Sequence, residues 1–304
     1  MNGNGPSALP RGAALACLLG AAFLWSLGGL LIKSIPWGAL AIAGARSCIA
    51  VPVILLYLRR PRFTWSAAQL TGAAAYAATV IFFVLANKLT TAANAILLQY
   101  TAPLYVAVMG GLLLEERAGP AAWAALAGAM GGMALFFMDS LGEGGLCGNI
   151  LALASGVSFA VLIVSLRMQK DGSPIESVLL GNLVTGVLCA PFMFRSAPPR
   201  EGWAALAVLG VFQLGLAYIL YSAAIRRVTA LEAVLVPVIE PLLNPLWVFL
   251  LLGERPGPWS LAGGAVVLVS VTLFSAFRAR GGDQSPPATP SIVRRTSSRN
   301  SAGS

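Results

Sequence analysis

Long apolar stretches alternate with short polar breaks along nearly the whole chain. Each stretch is long enough to cross the ~30 Å hydrocarbon core of a bilayer as a helix. A membrane β-barrel would need apolar and polar residues to alternate along ~10-residue strands, and no such pattern occurs. The sequence therefore predicts an all-α membrane protein with ten transmembrane helices, spans 1 to 10, at residues 12–32, 38–58, 66–86, 90–113, 120–138, 146–166, 174–194, 202–222, 229–252 and 257–277.

The composition supports a membrane protein. Of the 304 residues, 58% are hydrophobic and 10% are charged, whereas a soluble domain averages ~25% charged residues. The first apolar stretch is longer than the core of a cleaved signal peptide, and Lys33 follows it where a cleavage motif would stand. We therefore expect it to be retained as span 1.

The basic residues predict the orientation. With the N-terminus in the cytoplasm, 14 Lys and Arg residues fall on the inner side and 5 on the outer side, leaving out Arg46 within span 2. The positive-inside rule then places both termini in the cytoplasm, and we expect an inner or plasma membrane location. Despite a net charge of +9, the basic residues are too scattered to form a nucleic-acid surface.

A repeat divides the chain into two halves. At a spacing of 138 residues, the second copy matches the first at Thr91-Ala92 with Thr229-Ala230, Pro103 with Pro241, Glu116-Arg117 with Glu254-Arg255, and Gly119-Pro120 with Gly257-Pro258. The first spans of the halves align at a spacing of 136. The predicted organisation is a short cytoplasmic N-terminus (1–11), two five-helix repeats (12–141 and 142–280) and a disordered basic cytoplasmic tail (281–304).

An odd number of spans in each half requires the second half to be inverted relative to the first. Inverted repeats are typical of secondary transporters, whose substrate site lies near the bilayer midplane between the halves.

The Glu-Arg pairs at the ends of spans 4 and 9 have a structural interpretation. We expect Glu116 and Glu254 to lie near the N-terminus of the helix that follows each of them, where the helix dipole favours a carboxylate.

Two motifs resemble a known family. Residues 97–103 read LLQYTAP and residues 114–117 read LEER, while the second half has IEP at 239–241 and LGER at 252–255. In this order and spacing they resemble the EamA-like family of the drug/metabolite transporter superfamily. The resemblance implies a ten-span carrier of small metabolites in the inner or plasma membrane. It leaves the substrate open among amino acids, nucleobases, sugars and drugs.

Three charged residues, Arg46, Glu232 and Glu240, fall within predicted spans. A charge at the centre of a membrane helix costs at least ~2.5–3.5 kcal/mol, so we expect these residues to face a polar interior. Counted from opposite faces, Arg46 and Glu240 both approach the midplane. Arg46 would bind a substrate carboxylate and Glu240 a substrate amine or a coupling proton, or the two would form a structural salt bridge. Glu232 lies about one turn inside span 9, where it could simply face the cytoplasm.

Prolines interrupt the helices of spans 4 and 9. Pro103, Pro237, Pro241 and Pro245 each remove an N–H and leave unpaired the carbonyl four residues earlier. Such groups are tolerated in a membrane when they line a wet cavity or are buried in protein. We expect these prolines to line the transport pathway, although ordinary kinks remain an alternative. The uncharged candidates, each of which could equally be a packing residue, are Trp25, Tyr76, Asn94, Gln99, Tyr100, Asn182, Gln213, Tyr218 and Asn244.

The leading hypothesis is a secondary transporter of a small metabolite, amino acid or drug-like molecule that works by alternating access. The sequence has no phosphate-binding Gly-x-x-x-x-Gly-Lys motif for ATP, no histidine, and four cysteines without paired spacing. We therefore expect no cofactor and no metal. The expected partners are a substrate, the bilayer and, through Glu240, a proton; a homodimer is left open. The alternatives are a membrane scaffold or receptor and an intramembrane lipid-modifying enzyme, which would lack an imidazole base.

Overall fold

A computed structural model of the chain describes residues 9–138, 145–195, 197–198, 200, 202–243 and 257–280. All regular structure in these ranges is helical. Seven helical segments are long and apolar enough to cross a membrane: Arg11–Ser34, Ala39–Leu58, Ala67–Leu89, Asn94–Leu113, Leu146–Met168, Pro174–Met193 and Gly202–Ala224. Two shorter apolar segments are Pro120–Phe136 and Leu261–Phe277. The predicted all-helical class is therefore observed, while the count of ten spans and the side of the termini stay predictions.

The helices are numbered here along the chain. They are α1 Arg11–Trp25, α2 Gly28–Ser34, α3 Ala39–Leu58, α4 Ala67–Leu89, α5 Ala92–Gln99, α6 Ala102–Leu113, α7 Pro120–Phe136, α8 Leu146–Met168, α9 Pro174–Met193, α10 Gly202–Val208, α11 Ala217–Ala224, α12 Ala230–Leu235 and α13 Pro258–Arg280. A π-helical segment, Leu209–Leu216, joins α10 to α11, and a 3₁₀ turn, Val236–Ile239, follows α12. Asn244, Pro245 and Glu254 lie outside the described residues.

Two of the interruptions coincide with prolines. The predicted span 4 is divided at Tyr100–Thr101, and Pro103 lies in the first turn of α6, where its missing N–H cannot bond the Gln99 carbonyl. In the predicted span 9, Pro237 is the second residue of the 3₁₀ turn. The break between α1 and α2 and the π-helical segment occur without a proline.

The helix contacts occur in pairs that the repeat relates to each other. Helix α4 packs on α8, and α11 packs on α1. The repeat relates these two contacts to each other. The contact of α3 with the π-helical segment likewise has its counterpart in the contact of α9 with α4. The remaining large contacts, α3 with α9 and α7 with α13, each join corresponding helices of the two halves.

The N-termini of α5 and α12 share one capping device at matching positions of the repeat. The Thr91 hydroxyl accepts a hydrogen bond from the Asn94 N–H at 3.1 Å, and the Thr229 hydroxyl accepts one from the Glu232 N–H at 3.3 Å. At α12 the Glu232 carboxylate also accepts from the Thr229 N–H, which completes a capping box. Glu232 is therefore part of a helix cap.

Large apolar side chains cover the outer surface, as expected of a protein surrounded by lipid. Leu56, Leu112, Val187 and Phe194 are 79%, 76%, 73% and 87% exposed. Between α7 and α13 the backbones approach closely, since a Cβ on Gly263 would lie 2.2 Å from the Phe136 nitrogen. Close packing through small residues is typical of membrane helices.

Candidate functional site

A cavity of about 50 Å³ lies among the helices of both halves. Because its walls come from α1, α3, α4, the α5–α6 junction, α8, the π-helical segment, α11 and the residue after the 3₁₀ turn, it is built by packing of distant parts of the chain. The lining residues are Trp25, Arg46, Thr79, Val80, Phe83, Gln99, Tyr100, Phe159, Gln213, Leu214, Tyr218 and Glu240.

Arg46 supplies the positive charge of the cavity. It is 1% exposed, and its Nη1 donates to Gln213 Oε1 at 3.1 Å while its Nη2 donates to the Val80 carbonyl at 3.4 Å. Its Nε is buried without a hydrogen-bond partner, and no carboxylate oxygen of the described residues lies within 4.0 Å of the guanidinium. Among the described residues, neutral dipoles therefore hold this cation, and none of these residues supplies a counter-ion.

The partner of Arg46 comes from a helix of unusual geometry. Gln213 lies in the π-helical segment, which packs against α3. A π-helical turn adds a residue to the local repeat and changes the direction of the side chains that follow, and such turns are frequent at functional sites. In this chain Gln213, Leu214 and Tyr218 all reach the cavity from this region.

Glu240 supplies the negative charge. It follows directly on the 3₁₀ turn and is partly exposed, on the cavity side. The Tyr100 hydroxyl donates to Glu240 Oε2 at 2.6 Å and lies 3.0 Å from the Pro237 carbonyl oxygen. Among the described residues no cation lies within 4.0 Å of the carboxylate, so the structural salt bridge between Arg46 and Glu240, the alternative to a binding role, is not formed in this structure.

Aromatic rings form much of the remaining wall. The ring of Trp25 lies 5.8 Å from Phe159 in an edge-to-face arrangement and 5.1 Å from Tyr218, centroid to centroid. Gln99 extends the polar wall, because its amide donates to Ser155 Oγ at 2.8 Å and Ser155 in turn donates to the Thr79 carbonyl at 3.1 Å. A Cβ at position 156 would lie 2.7 Å from the Gln99 carbonyl oxygen, so Gly156 lets this interrupted helix approach α8.

Some predicted site residues lie outside the cavity lining. Tyr76 and Asn182 pair behind it, with the Tyr76 hydroxyl donating to Asn182 Oδ1 at 3.1 Å. Asn94 lies at the capped N-terminus of α5, and Glu232 caps α12 and pairs with Arg11.

Residues that sequence reasoning missed include Thr79, Val80 and Phe83 of α4 and Phe159 of α8. On α4, Thr79 and Phe83 follow Tyr76 at intervals of three and seven, which places them on one helix face. The sequence did contain a signal for these residues, because one face of this apolar span carries two polar residues, Tyr76 and Thr79. Phe159 had a weaker one, since it corresponds to Phe23 of α1 at the spacing of 136.

Ion pairs between the two halves lie away from the cavity, towards the other end of the helix bundle. Arg167 Nε donates to Glu116 Oε1 at 2.7 Å, and Glu116 Oε2 accepts from the Ala230 N–H at 2.7 Å. Arg11 pairs with Glu232. We call Arg11, Glu116, Arg167 and Glu232 the ion-pair cluster.

The expectation that Glu116 contacts the helix following it was wrong. Its carboxylate contacts the N-terminus of α12 in the other half. The reason is the turn after α6, where Glu115 has a φ of 58° and the Glu116 N–H bonds back to the Gly110 carbonyl at 3.0 Å. This turn directs Glu116 away from α7. The carboxylate still lies at a helix N-terminus, as the dipole argument required, but at a distant one.

The cavity lies nearer the end of the bundle opposite the ion-pair cluster. Arg46 is 7 residues from the start of α3 and 12 from its end, and Phe83 is 6 residues from the end of α4. Trp25 is the last residue of α1, which Arg11 begins. At 1.5 Å of rise per residue, the cluster is separated from the cavity along α1 by roughly 20 Å.

Comparison with known proteins identifies the family of this chain. A model of the EamA-like transporter family matches the chain twice, over residues 12–138 and 146–276. The chain belongs to the EamA-like transporter family. The two matched segments contain the two halves whose helix contacts correspond, and both contribute residues to the cavity.

Two relatives of this member of the EamA-like transporter family are themselves described as transporters. The transporter YwfM of Bacillus subtilis (strain 168), described as uncharacterized, is 25% identical over 271 residues, covering 84% of this chain and 91% of that protein. A transporter of Archaeoglobus fulgidus, also described as uncharacterized, is 29% identical over 196 residues, covering 64% and 71% of the two chains. One crystal structure matches with a TM-score of 0.75 and 20% identity over 90% of this chain and all of that chain. At this identity it shows the fold alone.

The family and these relatives point to a membrane transporter and away from an enzyme. Within the part of the chain that the structure describes, no group of three or more His, Cys, Asp or Glu side chains could hold a metal ion. The chain is an integral, multi-pass membrane protein on the evidence of its apolar helices and its family.

Proposed function

We propose that this protein is a secondary transporter that moves a small molecule through the cavity by alternating access. The observation that carries the proposal is the pair of opposite charges, Arg46 and Glu240, that face one cavity while each is held by neutral partners. A buried charge without a counter-ion is costly, and binding of a complementary group would remove that cost. Arg46 would bind a carboxylate, and Glu240 would bind an amine or a coupling proton.

The lining of the cavity is compatible with a small metabolite, amino acid or drug-like molecule as the substrate. Trp25, Phe83, Phe159 and the rings of Tyr100 and Tyr218 line the same cavity as the two charges and offer apolar contacts there. Aromatic rings also stabilise a cation through their π-faces. We therefore expect a zwitterion with an apolar part to bind more tightly than a molecule that carries either charge alone.

The transport cycle would use two inverted five-helix halves with both termini in the cytoplasm of an inner or plasma membrane. The double match to the family and the pairing of helix contacts support this arrangement. The ion-pair cluster joins the halves at the end that positive-inside reasoning assigns to the cytoplasm. Opening of the cavity towards that end would require Glu116 to separate from Arg167 and Arg11 from Glu232.

A flux assay in proteoliposomes tests the proposal. A panel of radiolabelled zwitterions, cations and anions is screened with the purified protein, and the best substrate is measured with Glu240→Gln. We expect about a tenfold or greater loss of flux, because a hydrogen bond to a charged group contributes roughly 1.5–3 kcal/mol. Glu115→Gln, which removes an exposed carboxylate outside the cavity, is the matched control.

The outcomes separate the competing functions. Substrate-specific flux that survives in Glu115→Gln and is lost in Glu240→Gln supports the carrier. Flux that is indifferent to Glu240 would reject the assigned role of the cavity. Absence of flux across the panel, in protein that remains folded, would favour a scaffold or receptor.

A further inference from the structure

The Tyr100 hydroxyl stands between two acceptors that belong to the same segment of chain. It lies 2.6 Å from Glu240 Oε2 and 3.0 Å from the Pro237 carbonyl oxygen. Tyr100 is 5% exposed and belongs to the first half, while both acceptors belong to the second half. A phenol carries one hydrogen, so it can be fully donated to only one of the two acceptors at a time.

The Pro237 carbonyl is available because of the proline four residues later. In an α-helix that carbonyl would accept from the N–H of residue 241, and Pro241 has none. The Glu240 N–H bonds to it instead, in the tighter 3₁₀ geometry, and one lone pair remains for Tyr100. A 3₁₀ stretch inside a longer helix often marks a hinge.

The protonation state of Glu240 decides which acceptor Tyr100 uses. When Glu240 is ionised it is only an acceptor, and the Tyr100 O–H donates to it. When Glu240 takes up a proton from solution, its own O–H can donate to the Tyr100 oxygen, which frees the phenol hydrogen for the Pro237 carbonyl. The proton stays on Glu240 throughout, and only the direction of the hydrogen bonds reverses.

We propose that Tyr100 is a positioning residue through which the protonation state of Glu240 controls the hinge at Pro237. The inference rests on the proposed function and extends it, since it states how a coupling proton would reach the backbone that moves. A neutral Glu240 tightens the contact of the first half with the hinge, and an ionised Glu240 withdraws it. The hinge packs against α1 and α13, so its state reaches both halves of the bundle.

Other ionisable groups surround this site and constrain the test. Among the described residues that line the cavity, Arg46 is the one cation and Tyr218 is the second phenol. The remaining ionisable residues on the helices that pack around the hinge and the cavity are Arg11 and Cys17 of α1, Cys48 and Tyr57 of α3, Tyr76 and Lys88 of α4, Tyr105 of α6, Cys147 and Arg167 of α8, Tyr221 of α11, Glu232 of α12, and Arg278 and Arg280 of α13. A variant of Glu240 itself is therefore needed to assign any pH response.

Two readouts that need no substrate test the proposal. Infrared difference spectroscopy across a pH titration identifies the C=O stretch of protonated Glu240 as the band that Glu240→Gln removes. The openness of the cavity is followed as the rate at which an impermeant maleimide labels Val80→Cys, after Cys17, Cys48, Cys147 and Cys189 are replaced by alanine. Val80 lines the cavity wall, and Glu240→Gln reports the pH dependence of the thiol alone.

We expect the ratio of labelling rates on the two sides of the titration to differ about fivefold from the ratio in Glu240→Gln, the factor that corresponds to one net intramolecular hydrogen bond. Tyr100→Phe should reduce the ratio to that of Glu240→Gln while the infrared band still titrates. Tyr105→Phe, which removes a partly buried phenol from the same span, should keep the original ratio. Pro241→Ala leaves Tyr100 and Glu240 in place but restores an N–H for the Pro237 carbonyl, and it should also abolish the response.

Three results would overturn the proposal. They are an unchanged ratio in Tyr100→Phe, a ratio in Glu240→Gln equal to that of the parent protein, and an infrared band that never appears while the protein is folded. If Tyr100→Phe does not fold, Pro241→Ala decides between the same outcomes. A failure here leaves the flux assay unaffected, whereas absence of flux with an intact pH response would reject the proposed function and not the role of Tyr100.

Discussion

The cavity and the ion-pair cluster treat buried charge in opposite ways. In the cluster, the side chains of Arg167 and Glu116 are each 10% exposed and meet at 2.7 Å. In the cavity, Arg46 is 1% exposed and is held by an amide oxygen and a backbone carbonyl. The cluster neutralises its charges within the protein, and the cavity leaves them to be neutralised by something else. This difference separates a structural contact from a candidate binding site, although both are made of the same residue types.

The largest expected effect lies in the ion-pair cluster. Arg167→Met should lower the free energy of unfolding by about 3–5 kcal/mol, because Glu116 would remain buried without its counter-ion. Arg167 also donates to the Ile225 carbonyl at 3.0 Å, and that bond is lost as well. The measurement is equilibrium unfolding of the purified protein in detergent.

A double variant controls for this effect. Arg167→Met combined with Glu116→Leu removes both charges and should recover much of the lost stability, since apolar pairs often replace buried ion pairs without loss. A single variant that loses less than about 0.5 kcal/mol would show that the pair behaves as an exposed surface bridge. The cluster and the cavity would then differ less than the distances indicate.

The next effect is expected at Arg46, with the opposite balance of stability and function. Arg46→Met removes a buried cation that has no counter-ion among the described residues, so the free energy of unfolding should change by less than about 1 kcal/mol or rise. Substrate binding should weaken about tenfold or more, because a charged hydrogen bond is lost. Ligand-induced shifts of the unfolding temperature measure the binding, on the substrate that the flux screen identifies.

Arg46→Lys is the matched control, since it keeps the charge but lacks the planar fork that reaches both Gln213 and the Val80 carbonyl. We expect partial binding in this variant. A loss of stability in Arg46→Met as large as that of Arg167→Met would contradict the comparison, because Arg46 would then be a structural residue.

Features of the fold and the candidate site that depend on residues close together in the sequence could be predicted. Features that depend on contacts between residues far apart in the sequence could not. The apolar stretches and the repeat are local or periodic patterns, and they predicted the helical class. Pro103 and Pro237 predicted interruptions because a proline removes a backbone donor wherever it lies. The pairing of Arg46 with Gln213, and of Glu116 with Arg167, joins residues 167 and 51 positions apart. No rule of spacing predicts such partners.

The π-helical segment shows the same limit within one helix. Residues 209–216 read LGVFQLGL, which is an ordinary apolar pattern for a membrane helix. This segment packs against α3, and a contact between distant parts of the chain cannot be predicted from a local pattern. Gln213 could be proposed as a polar residue in an apolar span, but its contact with Arg46 could not.

The smallest expected effects distinguish two hydrogen-bonded pairs that the repeat makes equivalent. Arg46 corresponds to Asn182 at the spacing of 136, and Tyr76 corresponds to Gln213 at 137, so Arg46–Gln213 and Asn182–Tyr76 occupy matching places. One pair carries a charge and lines the cavity, and the other is neutral and lies behind it.

Gln213→Leu should lower flux about fivefold, because one net hydrogen bond that orients the Arg46 fork is lost. Tyr76→Phe should leave flux within about twofold and cost about 0.6 kcal/mol of stability, the average for a hydrogen bond between membrane helices. Equal loss of flux in both variants would mean that the binding role is shared by the two pairs, and the asymmetry between the halves would then lie in Glu240 alone.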